Sequence, residues 1–452
     1  MTIGKVKKMY ITKARIFVKT SKRKNRHFQA FNMSVPFRAV LLMAAVMTGV
    51  THAFLTAAPT PSSYLRNLRA LAANDAAASA SATVNDKPRW AGGSDVVSDV
   101  VNALISIKPL FAVMKVQARK TLIGTAEKNG IPWRERASAL MQEVTALQRY
   151  YDEVENKDVT NYPTYYTQEF HAYDAGNLNW QAAVEVESAT MSMALRVWPQ
   201  DGLTAEAAQD RLRGSFFDAV EAYIARGSRA TANPFAQAFQ ALSSPFLSSA
   251  PARIIDVGCS VGVSTFYLAE RFPSARIIDA LDLSPHFLAV AKQRQDRATR
   301  LAQGNDKSDD KSDGEGVFAG LQRFAAAAKN VGRIRWIHGN AEATGLPSNS
   351  YELVAASFMF HELPQGPSDT ILQEMFRLTA RGGVVAITDN NPRSPVIQGL
   401  PPALFTLMKS TEPWSDDYYT YDLEAALRKV GFVDVETVAT DPRHRTVLGR
   451  RL

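Results

Sequence analysis

At 452 residues the chain is long enough for two domains and a large buried core, and 46% apolar with 21% charged residues is an ordinary globular composition. A net charge of +8 would suit nucleic acid or an acidic membrane, but residues 1–74 hold thirteen Lys/Arg and no Asp or Glu, leaving 39 basic against 44 acidic side chains in the rest. The folded body is therefore mildly acidic, lacks a basic stripe with interleaved aromatics, and is not expected to bind nucleic acid. Cys259 is the only cysteine, which excludes an intramolecular disulfide and is compatible with a reducing compartment.

The first elements read as an address. An apolar run at 39–50, preceded by Arg38 and followed by Thr51-His52-Ala53, has the length of a signal-peptide core and is short for a bilayer span. Phe54 then opens an acid-free Ser/Thr/Ala/Pro/Arg-rich stretch. A signal, an Ala-Phe step and a transit-like segment resemble the bipartite plastid presequence of algae with secondary plastids, with Met33 as a fitting start. A mitochondrial address, a plain secretory signal or a membrane-anchoring helix are the alternatives. Residues 74–95 read as an Ala/Ser linker, so 1–95 is set aside as targeting sequence and linker.

Residues 96–250 read as helical. Apolar residues recur at helical spacing over 97–147, broken at Gly130-Ile-Pro-Trp133. A segment dense in aromatics and hydrogen-bonding side chains follows: Tyr162, Tyr165, Tyr166, Phe170, His171, Tyr173, Asp174, Asn177 and Trp180. Such a loop either touches a ligand or anchors itself to the domain beneath. Asn177 is expected to cap a helix running to about Ala194, and a further helix spans about 204–225.

From 251 the pattern alternates. Strands are expected at 253–257, 276–281, 333–338, 352–357 and 383–388, with helices near 263–271, 285–300, 316–329, 368–379 and 422–430. Two last runs, 433–438 and 446–448, are separated only by ATDPRHR, too short for a crossover, so they must pair antiparallel. The charged insertion QGNDKSDDKSDGEG, 303–316, reads as a solvated loop.

The first strand runs into Asp256-Val-Gly258-Cys259-Ser260-Val-Gly262 and then a helix. A dinucleotide fingerprint needs a second glycine where Ser260 stands and a third near where Ser264 stands. A phosphate-binding P-loop fails for want of Lys-Ser/Thr. The turn resembles the D/E-x-G-x-G-x-G loop of class I S-adenosylmethionine-dependent methyltransferases, of the type-11-like domain, with Ser260 in place of the middle glycine. The resemblance covers about 250–452. It extends to Asp282-Leu283 at the end of the second strand, Gly339-Asn340-Ala341-Glu342 after the third, Tyr351-Glu-Leu-Val354 in the fourth and Arg381-Gly-Gly383 before the fifth.

It implies an α/β, Rossmann-like seven-stranded sheet with a reversed last strand, preceded by the helical region as a substrate lid. It also implies S-adenosylmethionine as cofactor, held by Asp256, Gly258, Cys259, Ser260, Gly262, Asp282, Leu283, Asn340, Ala341 and Ser357. Asp282 would take the ribose diol. Asn340 stands where the family has an acidic residue facing the adenine amino group.

Ligands of open parallel sheets bind outside the strand carboxyl ends. There the sequence places His361 and Glu362 after strand four and Asp389 after strand five. His361 is the best general base, oriented by Glu362 or Asp389, or else it lines or braces the pocket. His171, Tyr173, Asp174, Trp414 and Arg443 are candidates for holding substrate. No metal-ligand spacing is read. His-Glu-Leu-Pro with a later Asp-x-x-Pro resembles methyltransferases of quinones, prenyl lipids and other small lipophilic molecules, and the whole chain resembles plastid and cyanobacterial methyltransferase-like proteins. The expected partner is a small molecule, with peripheral membrane contact compatible. A non-catalytic S-adenosylmethionine-binding assembly or regulatory factor is the second reading and a dehydrogenase the third.

Overall fold

A computed structural model describes residues 108–171, 173–230, 250–303, 332–400 and 411–452. The presequence and linker, most of the 227–252 connector, nearly all of the 303–316 insertion and the helix expected at 316–329 lie outside the described residues.

The α/β body is one seven-stranded sheet of β1 (Arg253–Val257), β2 (Ile277–Asp282), β3 (Ile334–His338), β4 (Tyr351–Ser357), β5 (Thr379–Asn390), β6 (Val433–Ala439) and β7 (His444–Arg450). The spatial order is β3-β2-β1-β4-β5-β7-β6. The pairings from β3 through β5 are parallel, and β7 runs antiparallel to both β5 and β6. Apolar side chains fill both faces of the central strands, as a sheet covered by helices on two sides requires. Consecutive residues go to opposite layers. Ile254 packs with Phe266, Ile278 and Leu353, while Ile255 packs with Val354, Met375 and Ile387.

Among the described residues five helices precede the sheet: α1 (Lys108–Lys128), α2 (Trp133–Gln142), α3 (Val144–Val154), α4 (Trp180–Leu195) and α5 (Ala205–Ala230). Phe216, Phe217 and Val220 of α5 join the Ile254 layer. Within and after the sheet come α6 (Val263–Arg271), α7 (Pro285–Ala302), α8 (Gln365–Leu378), α9 (Pro395–Gln398), α10 (Ser415–Tyr419) and α11 (Leu423–Val430). Among the described residues no helix is long and apolar enough to cross a membrane.

Two sequence expectations are corrected. The cap of α4 is Asn179, whose side chain accepts from the Ala182 N–H at 2.8 Å; Asn177 is free to reach elsewhere. Arg381-Gly-Gly383 is no turn before strand five. It lies inside β5, where pairing with β4 slips between Tyr351↔Thr379 and Leu353↔Val384. Gly382 takes φ +79° there, and a Cβ on Gly383 would stand 2.9 Å from the Ala380 carbonyl oxygen.

β1 and β4 are neighbours, yet the chain leaves them in opposite directions, toward β2 and β3 or toward β5. Their carboxyl ends therefore open a crevice. The two loops meet tightly at its floor: a Cβ on Gly258 would lie 2.5 Å from the Met359 sulfur.

Candidate active site

One wall of the crevice is the turn after β1. Gly258, Ser260 and Gly262 have φ of +73°, +51° and +80°. Glycine adopts this left-handed backbone at no steric cost, and Ser260 is the one of the three that carries a side chain there. The N–H groups of Gly258 and Cys259 donate to the Leu281 carbonyl at 2.8 and 3.0 Å, and that of Ser260 to Asp282 Oδ2 at 2.7 Å. Gly262 is fixed by crowding, since a Cβ there would stand 2.5 Å from the Trp336 ring. Asp256 lies beneath the turn, fully buried, accepting from the Ser264 and Thr265 hydroxyls at 2.7 Å each. It fixes the first turn of α6. Burial pushes its carboxyl up, and pushes the Cys259 thiol up so that it stays neutral.

Asp282 receives a second N–H, from Ser284 at 2.8 Å, and the Tyr166 hydroxyl lies 3.5 Å away. Burial raises its carboxyl to about 6 despite those donors. The Ser284 hydroxyl caps α7 and donates to the Asn177 carbonyl at 2.7 Å, which clamps the tyrosine-rich segment over this edge. His338, at the end of β3, accepts the Asn156 N–H on Nδ1 at 3.0 Å. Its Nε2 is therefore the protonated nitrogen and donates to the Leu283 carbonyl at 3.2 Å. Asn340 Oδ1 accepts the Glu342 N–H at 2.9 Å, Glu342 takes the Tyr165 hydroxyl at 2.8 Å, and Ala341 packs in the second core layer. The hydroxyls of Ser260 and Ser357 are buried without partners, two unspent hydrogen-bonding groups on the crevice wall. A glycine-lined turn, an ionisable Asp282 and these hydroxyls fit a nucleoside ligand of the S-adenosylmethionine kind.

The opposite wall follows β4 and β5. His361 sits in a single 3₁₀ turn, Phe360–Glu362. Asp389, 1% exposed at the end of β5, holds it twice: its Oδ1 lies 2.9 Å from the ring Nδ1, and its Oδ2 accepts the His361 N–H at 3.1 Å. Burial alone would lower the imidazolium, but the Asp389 carboxylate outweighs it and holds His361 up at about 10. Its Nε2 has no partner among the described residues. Glu362 rises for a different reason: burial takes it to about 7, against the His361 charge and one hydrogen bond from the Asn177 amide at 3.0 Å.

His171 completes this wall. It takes φ +50°, its N–H donates to the Thr411 carbonyl at 2.8 Å, and its Nε2 lies 3.8 Å from Glu412. Confinement by protein, then the His361 charge, lower its imidazolium. Burial raises Glu412, which feels His361, Asp389 and Arg196. Arg443 lies at the hairpin tip beside β5, its carbonyl accepting the Asn391 N–H at 2.8 Å. It faces Arg196, and burial followed by that mutual repulsion lowers the Arg196 guanidinium. The indole N–H of Trp414 is buried without a partner.

The structure thus gathers His361, Glu362, Asp389 and His171, with Arg443 at the distal end. Two candidates stand apart. Tyr173 donates its hydroxyl to Glu185 at 2.7 Å under the Arg119 guanidinium, and Asp174 is exposed. Sequence reading missed Arg196 and His338 altogether, saw Tyr166 and Glu412 only as members of aromatic or acidic runs, and took Asn177 for a helix cap.

Residues 255–385 match a family described as a methyltransferase domain. A demethylmenaquinone methyltransferase of Geobacillus kaustophilus is 24% identical over 203 residues, 41% of this chain and 72% of that one. A trans-aconitate 2-methyltransferase of Methylobacterium radiotolerans is 30% identical over 138 residues, 30% of this chain but only 38% of the relative. Solved structures similar to the chain include an S-adenosylmethionine-dependent methyltransferase of Aquifex aeolicus (18% identity, 44% of this chain, 81% of that chain, TM-score 0.30). Another is a Haemonchus contortus phosphoethanolamine N-methyltransferase 2 in complex with S-adenosylmethionine (16% identity, 44% of this chain, 48% of that chain, TM-score 0.28). The matched domain coincides with the strands that build the crevice, and the antiparallel β7 separates this sheet from those of dehydrogenases. The chain is a class I S-adenosylmethionine-dependent methyltransferase.

Proposed function

We propose that the enzyme methylates an acidic oxygen of a small acceptor enclosed between the tyrosine-rich segment and the carboxyl ends of β4 and β5. Glu362 takes the acceptor proton, and His361 is a fixed positive charge that holds the resulting oxygen. One observation carries this reading: two adjacent residues are both raised but for different reasons, His361 to about 10 by the Asp389 carboxylate it is bonded to and Glu362 only to about 7 by burial. A general base works best when it titrates near the working pH, so the carboxylate suits proton uptake and the Asp389-bound imidazolium does not.

Bound S-adenosylmethionine supplies a methyl group activated by a sulfonium. Asp282 would accept the ribose hydroxyls, Asn340 and Ala341 would flank the base, and the 258–262 turn would hold the amino-acid end. The protein's remaining work is position: a displacement needs the nucleophile in line and about 3–3.5 Å from the carbon. A phenol or quinol suits the aromatic side chains near these groups, Tyr166 beside Asp282 and Glu362 and Tyr419 beside Glu412 and Asp389. The relatives named for a demethylmenaquinone and for trans-aconitate bring ring and acid acceptors alike within scope. An acid would find Arg443 and Arg196 at the distal end. The presequence assigns the enzyme to a plastid in this reading, and a fluorescent fusion of residues 33–95 found in mitochondria or the secretory route would sink that part.

The test is methyl-labelled cofactor with the full chain and a panel of phenols, quinols and hydroxy acids. We expect label in a small molecule, and at least about a hundredfold loss of kcat in Glu362→Gln. Cofactor affinity should stay within a factor of about two, because Glu362 lies outside the ribose contacts. A Glu362→Gln enzyme that turns over normally would refute the assignment.

A further inference from the structure

We infer that His171, His361 and Glu362 bind one divalent cation of the borderline class, such as zinc, manganese or iron(II), at the acceptor end of the crevice. One ligand atom from each residue lies within 4.8 Å of the other two. Two imidazoles and a carboxylate are the donor set such cations favour over magnesium or calcium. In tetrahedral coordination with bonds of about 2.1 Å, donor atoms sit roughly 3.4 Å apart. Closing the cluster therefore needs about an ångström of movement, within reach of the His171 ring, which is 39% exposed and gives a cation its access from solvent.

The surroundings support the cluster. Asp389 engages Nδ1 of His361 and its backbone N–H, so the imidazole is fixed with Nε2 turned to the pocket. A carboxylate behind an imidazole is the arrangement that orients a metal-binding histidine and makes it more basic. Asn177 holds Glu362 through one oxygen at 3.0 Å and leaves the other available. His171 is held by the Thr411 carbonyl in a left-handed conformation that histidine seldom adopts, and such strain concentrates at ligand clamps. Charge around the cluster is balanced toward a cation near His361, where Glu362, Asp389 and Glu412 gather; Arg196 and Arg443 lie beyond Glu412. The spacing in sequence hides all this, since His171 precedes His361 by 190 residues.

The cation would sit where the acceptor oxygen needs a positive charge, and by lowering that oxygen's proton affinity it would take over the part given above to Glu362. An acceptor with two neighbouring oxygens, a catechol-type ring or a hydroxy acid, could then bind through both. That use rests on the proposed methyl transfer; the binding itself does not.

The experiment strips the full chain with a chelator and titrates it with Co²⁺, following visible absorption and heat. One equivalent should bind and be displaced by Zn²⁺. His171→Ala and Glu362→Gln should each weaken binding at least about tenfold, and Asp389→Asn by about 10- to 100-fold. Retained S-adenosylmethionine binding would show that each variant is folded. No saturable binding, or equal binding by His171→Ala and Glu362→Gln, overturns the site. Methyl transfer that continues in stripped protein with no cobalt bound removes the cation and leaves the proton-transfer reading standing. Cobalt bound as expected with no transfer to any acceptor does the reverse.

Discussion

The two walls of the crevice are made of different material. On the β1–β2 side the wall is backbone, a turn of three left-handed residues whose N–H groups are taken up by the Leu281 and Cys259 carbonyls and by Asp282, the carboxylate at its edge. On the β4–β5 side it is side chains, an imidazole, carboxylates and a second imidazole brought from three segments. A backbone wall tolerates substitution wherever a small residue remains, so it can serve one cofactor across many enzymes. A side-chain wall changes its chemistry with each replacement. Binding and turnover should therefore fail separately, and mutations on each wall test that division.

The largest effect is expected from Asp389→Asn. It removes both the charge that keeps His361 protonated and the acceptor that fixes its ring. We expect kcat to fall by about 10² to 10⁴, with cofactor affinity nearly unchanged. A matching change in cofactor affinity would break the division. Stability responds too. His361 titrates at about 10 in the folded protein against 6.5 ordinarily, so the bond to Asp389 stabilises the fold fully below about pH 6.5 and is lost as pH rises through 10. The difference in melting temperature between wild type and Asp389→Asn should shrink over that range.

Next in size is Asp282→Ala, on the other wall. Losing two charge-assisted bonds to a ribose diol should weaken S-adenosylmethionine binding by about 10- to 100-fold, while product formation at saturating cofactor changes little. The pH behaviour gives a second handle. Asp282 titrates at about 6, and a protonated carboxyl loses acceptor capacity, so affinity should fall as pH drops through 6. Stability of the ligand-free protein moves oppositely. The folded carboxyl holds its proton more tightly than the unfolded one at 3.8, so this group favours folding below about pH 4 and loses that contribution as pH rises through 6. Calorimetric titration from pH 5 to 8 would show the first effect, and its absence would remove Asp282 from the cofactor site.

A smaller and more specific change is expected from Asn177→Ala. The Asn177 amide donates to Glu362 and works against the burial that raises it. Without that donor Glu362 should titrate higher. The acid limb of the kcat/KM profile, near 7 in the wild type, should then move up by roughly half a unit to one unit. A limb that stays put would separate Glu362 from the rate-controlling base.

The same two walls explain what the chain reveals as a string of letters. The cofactor wall is read almost whole, because its parts lie within 254–285 and each carries a local signal: an apolar run, small residues in a turn, an acidic strand end, a Ser-Pro helix start. The acceptor wall is legible only in pieces. His361 and Glu362 are visible at a strand end, yet nothing near them announces Asn177, 185 residues earlier, or Glu412, which reads as one more acid in an acidic run. Arg196 looks like an ordinary basic residue at a helix end, and nothing local to either residue announces its meeting with Arg443, far along the chain. Tyr173 and His171 are two residues apart in one aromatic run, but only one reaches the pocket; the other is taken by Glu185. The β5 bulge shows a related limit: Gly-Gly is readable as a bend, while its place inside a strand depends on register with β4.

The smallest prediction isolates that ambiguity in two asparagines. Asn177 and Asn179 are identical side chains on the same approach to α4, and either could cap it by composition. The Ala182 N–H settles the matter, accepted at 2.8 Å by Asn179, and Asn177 is thereby released to Glu362. Asn179→Ala should therefore cost about 1 kcal/mol of stability, seen as a drop of roughly 2–4 °C in melting temperature, since the first turn of α4 is left with an unsatisfied donor. Its pH profile should match the wild type. Asn177→Ala should do the opposite, moving the profile with little loss of stability. If the two variants exchanged behaviours, Asn177 would be the cap and the polar contact to Glu362 incidental, and the acceptor wall would have to be rebuilt without it.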